Sequence, residues 1–300
     1  MKRPHLGIVG FGRLGRACVE AIQMDEQLAL AGIVRRDPGA SLPGRFSQLP
    51  VVGHIGELAR VDAALICVPT AQVAGVAHDL LQRGVPIVEC ACLHEQAFEA
   101  HFTEIDRLAS RHKTPAVVGA GWDPGALSVF RGLFALLTPK GHTEVTQRPG
   151  VNLHHTTAAR AIPGVREALS TELRTSAGRS QRYVYVELEP GAQREQIEQA
   201  LRSDPLYLDT ETLVIPVDSV ATLEEEGHGV LMERRGAAGE TAHQLLLLEA
   251  RYSEPALAAA VMVAAARTLH THERRAHSLF ELPLGALWGT LHEHARRDWI

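Results

Sequence analysis

The chain has 300 residues, of which 45% are hydrophobic and 22% charged, which is enough for one large or two medium domains. A formal net charge of -5 and a pI near 6.3 exclude the basic surface by which proteins bind nucleic acid or anionic membranes. No stretch approaches the ~20 apolar residues of a membrane span, and a strand pattern starts almost at the N-terminus, so we expect a cytosolic protein without a signal peptide.

A nucleotide-binding turn follows the first predicted strand. Residues 5–9 form a short apolar run, and GFGRLG then places Gly10, Gly12 and Gly15 at the spacing of a dinucleotide-binding loop. A helical pattern follows, so backbone amides at the helix start can face a pyrophosphate. We therefore predict a Rossmann-type domain, against the alternative of a glycine turn without a ligand.

The second predicted strand, residues 28–34, ends in Arg35 and Arg36. NAD-selective sites usually carry an acidic residue here for the ribose hydroxyls, whereas guanidinium groups bind a 2′-phosphate bidentately. The pair therefore favours NADP(H). The alternative is an ordinary exposed pair of arginines.

The alternation of strands and helices then continues. An apolar strand at residues 63–70 is terminated by Pro69, and a helix covers residues 73–81. A strand follows at 86–90, and a long amphipathic helix then runs to about residue 111. This rhythm is typical of a parallel α/β sheet.

The four cysteines, Cys18, Cys67, Cys90 and Cys92, lie in the first third of the chain. Cys90 and Cys92 are too close for an ordinary bridge, so we expect no disulfide framework. Cys90, Cys92 and His94 are residue types that bind soft metals, but structural zinc sites usually space paired cysteines two to four residues apart. We predict no metal.

The sequence GWDPG, residues 121–125, follows a short predicted strand at 115–119. Pro124 fixes its own φ and favours an extended Asp123, so the carboxylate is held on a stiff turn beyond a strand's carboxyl end, where ligands bind in open α/β sheets. Trp122 and Asp123 therefore mark a candidate reaction centre. The alternative is that Asp123 caps the helix that starts near Ala126.

After the helix at residues 127–137 the pattern becomes that of a mixed α+β domain. Strands are predicted at 183–188, 212–217, 229–234 and 243–252, with a helix at 195–201, and they indicate an open sheet of antiparallel type. Residues 255–269 form an alanine-rich helix that is apolar nearly all round, which implies burial against the first domain or in a subunit interface.

Several sequence segments, taken in chain order, resemble the meso-diaminopimelate dehydrogenase family, especially its shorter bacterial form: GFGRLGR, VRR, CVPT, GWDPG, RAIPGVREALS, VYVELEPGA, GHGVLMER and PALAAAVMVAA. The resemblance covers nearly the whole chain. It implies an α/β protein with a Rossmann-type dinucleotide-binding domain, residues 1–121 and 255–300, and a central α+β domain for substrate binding and oligomerisation, residues 122–254. It also implies NADP-dependent, reversible oxidative deamination at the D-centre of a diamino diacid, in a homodimer or larger homo-oligomer.

The resemblance assigns cofactor contacts to the nucleotide turn and to the ends of the next two predicted strands: Gly10, Gly12, Arg13, Leu14, Gly15, Arg35, Arg36, Cys67, Pro69 and Thr70. It makes Asp123 the carboxylate that holds the ammonium and relays protons, with Trp122 as its aromatic neighbour. Arg182 and His228 match the donors for the second carboxylate, at the remote L-centre.

This chain departs from the family at the reacting end of the substrate. The family's aromatic–aspartate pair, which follows the strand ending at Val88, is replaced by Ala91 and Cys92. A neutral cysteine cannot replace that charge. Glu89, in the strand that precedes the pair, is a carboxylate that could rotate into use.

The remote end departs as well. Glu172 replaces a threonine and Glu254 an asparagine, which would place two carboxylates beside Arg182, and His154 stands in place of a small residue. Acidic groups there suit a cationic tail better than an anionic one. A paralogue that acts on a different amino or oxo acid is therefore one alternative, and a non-catalytic NADP(H)-binding sensor or assembly subunit is another.

Overall fold

The computed structural model describes residues 3–147, 153–174, 180–207, 211–221 and 229–289, together with residue 298. The chain divides into two compact units, Met1–Leu133 with Glu254–Ile300, and Phe134–Ser253. The first boundary between the units, after Leu133, therefore lies within the helix that follows GWDPG. From the sequence we expected it between residues 121 and 122.

The first half of the chain alternates strands and helices. Its elements are β1 (His5–Val9), α1 (Arg13–Met24), β2 (Ala29–Val34), β3 (Val51–Val52), β4 (Ala63–Ile66), α2 (Thr70–Gln82), β5 (Ile87–Glu89), α3 (Glu95–His112), β6 (Ala116–Val118) and α4 (Ala126–Leu137). The second half contains β7 (Lys140–Gln147), α5 (Leu153–Arg160), β8 (Val165–Arg174), β9 (Ser180–Leu188), α6 (Arg194–Ser203), β10 (Glu211–Pro216), β11 (Gly229–Ala238), β12 (Thr241–Arg251), α7 (Glu254–Thr268), β13 (Ala276–Ser278) and α8 (Leu284–Leu287).

Seven strands of the first unit form one parallel sheet in the order β13-β6-β5-β4-β1-β2-β3. The strand order reverses between β1 and β4, and ligands of doubly wound sheets bind outside the carboxyl ends of the strands at such a point. The loops after β1, β2, β4, β5 and β6 carry the predicted cofactor and reaction residues. They all leave the same edge of the sheet.

Two apolar clusters cover the two faces of this sheet. Successive residues of β4, such as Leu65 and Ile66, belong to different clusters because they point to opposite faces of the sheet, which explains why the whole strand is apolar. The first cluster joins α1 to α7 through Cys18, Val19 and Met262, and the second contains α2 and α3. The alanine-rich helix therefore packs onto the first domain, one of its two predicted positions.

None of the helices in the described ranges has the length and apolar character of a membrane span.

In the described part of the second unit, the strands form two three-stranded sheets, β10-β9-β8 and β12-β11-β7, and not the one open sheet of antiparallel type that we predicted. β9 pairs with β8 in antiparallel fashion but with β10 in parallel fashion. The parallel pair requires a crossover connection, and α6 lies in it. Alternation along a strand predicts its two faces but not its partner, which explains the incorrect prediction.

Candidate functional site

The loop after β1 has the shape that a bound pyrophosphate requires. Gly10 has φ +97°, and a Cβ atom there would lie 2.6 Å from the Cys67 carbonyl oxygen. Gly15 packs against the Gly10 carbonyl, where a Cβ atom would be only 2.2 Å away. Gly12, the N-cap of α1, faces open space, so a ligand can approach the backbone beside Arg13 and Leu14. The residues present therefore fit a dinucleotide.

Arg35 and Arg36 follow β2 at the same edge. Arg36 is exposed, whereas Arg35 is half-buried, and its Nε and Nη2 atoms are buried without a hydrogen-bond partner among the described residues. Such groups cost free energy until they are satisfied, and phosphate oxygens satisfy a guanidinium bidentately. Arg35 is therefore the better placed of the two for a cofactor phosphate.

The loop between β4 and α2 contains the remaining predicted cofactor residues. Pro69 precedes α2, and the hydroxyl of Thr70 accepts a hydrogen bond of 3.3 Å from the Cys92 amide. The Cys67 sulfur lies 3.7 Å from that of Cys18, and this contact and burial raise the pKa of Cys67 well above its usual value. The Cys67 thiol thus belongs to the core, and its backbone carbonyl faces the nucleotide loop.

Asp123 lies between β6 and α4, and its side chain is 11% exposed. The amides of residues 126–128 donate to backbone carbonyls, so the first turn of α4 does not need a cap from Asp123. Instead, the Asp123 carboxylate lies 3.4 Å from Nη1 of Arg131 and 4.0 Å from Nδ1 of His94. This geometry favours the reaction-centre interpretation over the helix-cap alternative.

Arg131 is a residue of the site that sequence reasoning missed. It is the single charged residue of the apolar helix α4, and this isolation was the available signal. Trp122, predicted beside Asp123, is 8% exposed, and its ring centroid lies 6.4 Å from that of Phe130. Trp122 is therefore largely buried and packs on α4, directly before Asp123 in the chain.

Cys92 is exposed and lies against the loop that carries Asp123. Its sulfur is 3.6 Å from the Asp123 carbonyl oxygen and 3.8 Å from Nε2 of His94. Desolvation by the surrounding protein, and then the charges of Glu254 and Asp123, raise the pKa of the Cys92 thiol. The thiol is therefore a poor nucleophile near neutral pH. Within the described ranges, no three His, Cys, Asp or Glu side chains are grouped so that they could hold a metal ion.

Glu89 cannot rotate into use as a substrate carboxylate, contrary to our expectation. It is fully buried, and its two oxygens accept hydrogen bonds from the amides of Ala91 (2.5 Å) and Gly119 (2.9 Å). Nε2 of His101 lies 3.4 Å from the same carboxylate. Glu89 therefore links the end of β5 to the end of β6. It positions the two loops that follow these strands, which carry Cys92 and Asp123 and are called the reaction loops below.

Glu254 begins α7 and lies in the first unit with Asp123. The sequence led us to expect it at the remote end of the substrate, but its charge acts at the reacting end, on Asp123 and Cys92. Glu254 is exposed, yet the surrounding protein and the charge of Asp123 raise its pKa, while Arg13 lowers it. Its position beside Asp123 depends on packing between segments far apart in sequence.

The second unit contains the residues predicted for the remote end. Arg182, in β9, is 5% exposed, with its guanidinium carbon 5.6 Å from the ring centroid of Tyr207. Its Nη1 donates to the Leu206 carbonyl at 3.2 Å. Burial raises the pKa of Tyr207 to about 12, although the charge of Arg182 opposes this. The Arg182 guanidinium is thus held by its own unit.

The other remote-end residues are placed only in part. Glu172 is the register partner of Arg182 across β8 and β9, and its place in the substrate site stays a prediction. His154 lies in α5, and His228 lies outside the described residues.

The chain is similar to known dehydrogenases in sequence and in fold. Residues 5–114 match a family model described as an oxidoreductase family with an NAD-binding Rossmann fold. The chain is 36% identical over 284 residues to the meso-diaminopimelate D-dehydrogenase of Bacteroides fragilis, covering 95% of both proteins. Its fold is similar to that of the C. glutamicum DAP dehydrogenase in complex with DAP, with a TM-score of 0.77, 23% identity and full coverage of both chains. An engineered D-amino acid dehydrogenase bound to NADP⁺ gives a TM-score of 0.76 at 22% identity, again over both entire chains.

Proposed function

The chain belongs to the meso-diaminopimelate D-dehydrogenase family, and we propose that it catalyses the NADP-dependent, reversible oxidative deamination of meso-2,6-diaminopimelate at its D-centre. The products are the 2-oxo acid and ammonia. The observation that carries the proposal is the Asp123 carboxylate, which is held at the carboxyl edge of the nucleotide-binding sheet by Arg131 and is not used as a helix cap.

The cofactor assignment is supported by the shape and the charge of the nucleotide edge. The loop glycines leave the start of α1 open to a pyrophosphate, and Arg35 offers two buried N–H groups to a 2′-phosphate. Bound NADP⁺ supplies the hydride acceptor, and the protein supplies orientation and charge.

The reacting centre has to hold an ammonium group, lose a proton from it, and later admit water to the imine carbon. Asp123 is suited to orient the ammonium because its own geometry is fixed by the loop and by Arg131. Trp122, packed on Phe130, gives the loop a rigid base. In the second unit, Arg182 and His228 are our proposal for the donors to the carboxylate at the L-centre, and His154 for a residue that lines the substrate site.

A paralogue with a different substrate is favoured by one observation. Glu172 is the register partner of Arg182 across β8 and β9, so an acidic residue occupies the strand position directly opposite the arginine. An amino acid with a neutral or cationic tail would be compatible with this arrangement. A turnover assay with both kinds of amino acid distinguishes this paralogue from a meso-diaminopimelate dehydrogenase.

The test measures reduced cofactor by absorbance at alkaline pH after mixing the protein with NADP⁺ and a panel of meso-diaminopimelate, lysine and simple D-amino acids. We expect turnover with meso-diaminopimelate. Turnover only with another member of the panel would support the paralogue. Absence of turnover, together with tight NADPH binding by fluorescence, would support the non-catalytic alternative.

Asp123→Asn should lower turnover by at least ~100-fold, the scale of a lost acid/base or orienting group, and leave NADPH affinity nearly unchanged. Asp79→Asn, an identical change at an exposed residue of α2, is the matched control and should be almost silent. Equal turnover in the two variants would remove Asp123 from the mechanism.

The proposal extends to a cytosolic homodimer or larger homo-oligomer. Apolar side chains of the second unit are exposed on α4 (Leu136, 74%; Leu137, 59%) and on β12 (Leu245, 51%; Leu247, 58%). Exposed apolar surface of this kind is typical of residues that a subunit contact buries.

A further inference from the structure

A second carboxylate residue, Glu254, stands at the same edge of the sheet as Asp123. Its charge acts on groups that follow three different strands: Arg13 after β1, Cys90 and Cys92 after β5, and Asp123 after β6. The helix that it begins packs in the first core cluster, against which Cys90 and Val129 also pack. Because α7 leads into β13, a strand parallel to its neighbour β6, the helix runs antiparallel to the strands, and its first residue, Glu254, lies at the carboxyl edge that carries the loops after β5 and β6.

The two carboxylates differ in what already surrounds them. Asp123 is 11% exposed and lies within 4.0 Å of two nitrogen-bearing side chains, Arg131 and His94. Glu254 is exposed to solvent at the first position of α7. Asp123 is thus the fixed group, and Glu254 is the group that a ligand can reach.

The charges of Asp123 and Glu254 act against each other, and such repulsion favours either proton uptake by one carboxylate or the binding of a cation between them. The surroundings and the charge of Asp123 raise the pKa of Glu254, although a helix N-terminus by itself stabilises a carboxylate. The ammonium group of an amino acid substrate relieves this repulsion. The same group must lose a proton before a hydride can leave its carbon.

We propose that Glu254 is the second carboxylate of the reacting site, which binds the substrate ammonium together with Asp123 and accepts its proton. This inference rests on the proposed amino acid dehydrogenase function. An ammonium N–H bond breaks, its electron pair stays on nitrogen, and the proton moves to the Glu254 carboxylate. Bound NADP⁺ would then accept a hydride, with its two electrons, from the α-carbon, so the substrate would be oxidised to an iminium ion and the cofactor reduced.

The kinetic test compares Glu254→Gln with Glu254→Asp and with Glu26→Gln. Glu26 is an exposed residue between α1 and β2, at the amino edge of the sheet, so its variant is a matched control for the loss of one charge. We expect Glu254→Gln to lower kcat/KM for meso-diaminopimelate by ~100-fold or more, the range of a lost proton acceptor, and Glu254→Asp to retain part of the activity. NADPH affinity should be the same in all variants.

A second readout does not depend on turnover. Because the Glu254 charge raises the pKa of the Cys92 thiol, Glu254→Gln should speed the alkylation of Cys92 by iodoacetamide several-fold near pH 8, as located by mass spectrometry. Glu26→Gln should leave this rate unchanged. An unchanged Cys92 rate in Glu254→Gln would overturn the placement of Glu254 beside the reaction loop.

The outcomes separate this inference from the proposed function. If the wild type oxidises meso-diaminopimelate and Glu254→Gln does so as well as Glu26→Gln, the role of Glu254 is overturned and the function stands. A wild type that neither oxidises meso-diaminopimelate nor binds it by calorimetry in the presence of NADPH would overturn both. Loss of activity in Glu254→Gln, with intact NADPH binding and faster alkylation of Cys92, would support both.

Discussion

Arg35 has two buried guanidinium nitrogens, Nε and Nη2, without a hydrogen-bond partner among the described residues, while its neighbour Arg36 is exposed. A charge-assisted hydrogen bond contributes ~1.5–3 kcal/mol, which corresponds to a roughly 10- to 100-fold change in Kd. A bound 2′-phosphate would satisfy these nitrogens, and NAD⁺ has no such group. The two arginines should therefore differ in importance, although they are adjacent in sequence.

We predict that Arg35→Ala weakens NADP⁺ binding ~10-fold or more and NAD⁺ binding only slightly, because charge-assisted bonds to the 2′-phosphate are lost. Arg36→Ala, the matched control, should have the smaller effect on NADP⁺. Fluorescence titrations with NADPH and NADH measure both affinities. Equal weakening of both cofactors by Arg35→Ala would show that this arginine does not recognise the phosphate.

At the scale of elements, the ends of β5 and β6 are held together by one buried side chain. Glu89 accepts hydrogen bonds from the amides of Ala91 and Gly119 on the two neighbouring loops, and the Ala120 amide bonds to its backbone carbonyl at 2.8 Å. These loops lead directly to Cys92 and to Asp123. The position of the reaction residues thus depends on a residue that does not contact solvent.

Glu89→Ala should lower the free energy of unfolding of the first unit by ~2–5 kcal/mol, because two buried amides would lose their acceptor at ~1–3 kcal/mol each. Urea unfolding followed by tryptophan fluorescence measures this, since all three tryptophans of the chain lie in the residue ranges of the first unit. Glu99→Ala, an exposed change on α3, should have little effect. A wild-type transition in Glu89→Ala would mean that Glu89 does not hold the loops together.

For the whole molecule, the first unit is assembled from both ends of the chain. α7 and β13 follow 120 residues of a different unit, yet α7 fills one face of the nucleotide-binding sheet and β13 forms its edge beside β6. The amide of Ala276 donates to the Asp106 carboxylate at 3.0 Å, which ties β13 to α3 as well. The stability of the cofactor site therefore depends on residues far from it in sequence.

Met262→Ala tests this dependence, because Met262 is fully buried in α7. Truncation of a buried methionine costs ~2–5 kcal/mol, so amides of β1 and β4 should exchange hydrogen faster, while the second unit should be unaffected. Met24→Ala, at a residue that is 86% exposed, is the matched control. Hydrogen exchange measured by mass spectrometry compares the two units directly. Faster exchange in both units would mean that the units do not unfold independently.

Local pattern predicted the elements well where they are long enough to show a period. The amphipathic helix α3 and the buried strand β4 lie where the sequence placed them, whereas β3 and β13, with two and three residues, are too short for any periodicity. The sequence also missed the separation of the second unit into two sheets, because alternation along β9 does not reveal whether β8, β10 or β11 lies beside it.

By itself, the sequence determined the nucleotide turn, the βα rhythm, the rigid Asp123 loop and the family, because each of these is encoded in residues close together along the chain. Only the tertiary structure decided that Glu89 is buried as a tie between loops, that Asp123 faces Arg131 and not its own helix amides, and that Glu254 stands at the reacting end. The relations of Glu89 and Glu254 join segments that meet only after the sheet has formed and α7 has packed on it, whereas Asp123 and Arg131 are eight residues apart and meet once α4 has formed. The free energy that brings them together is spread over the whole core, and no local pattern records it.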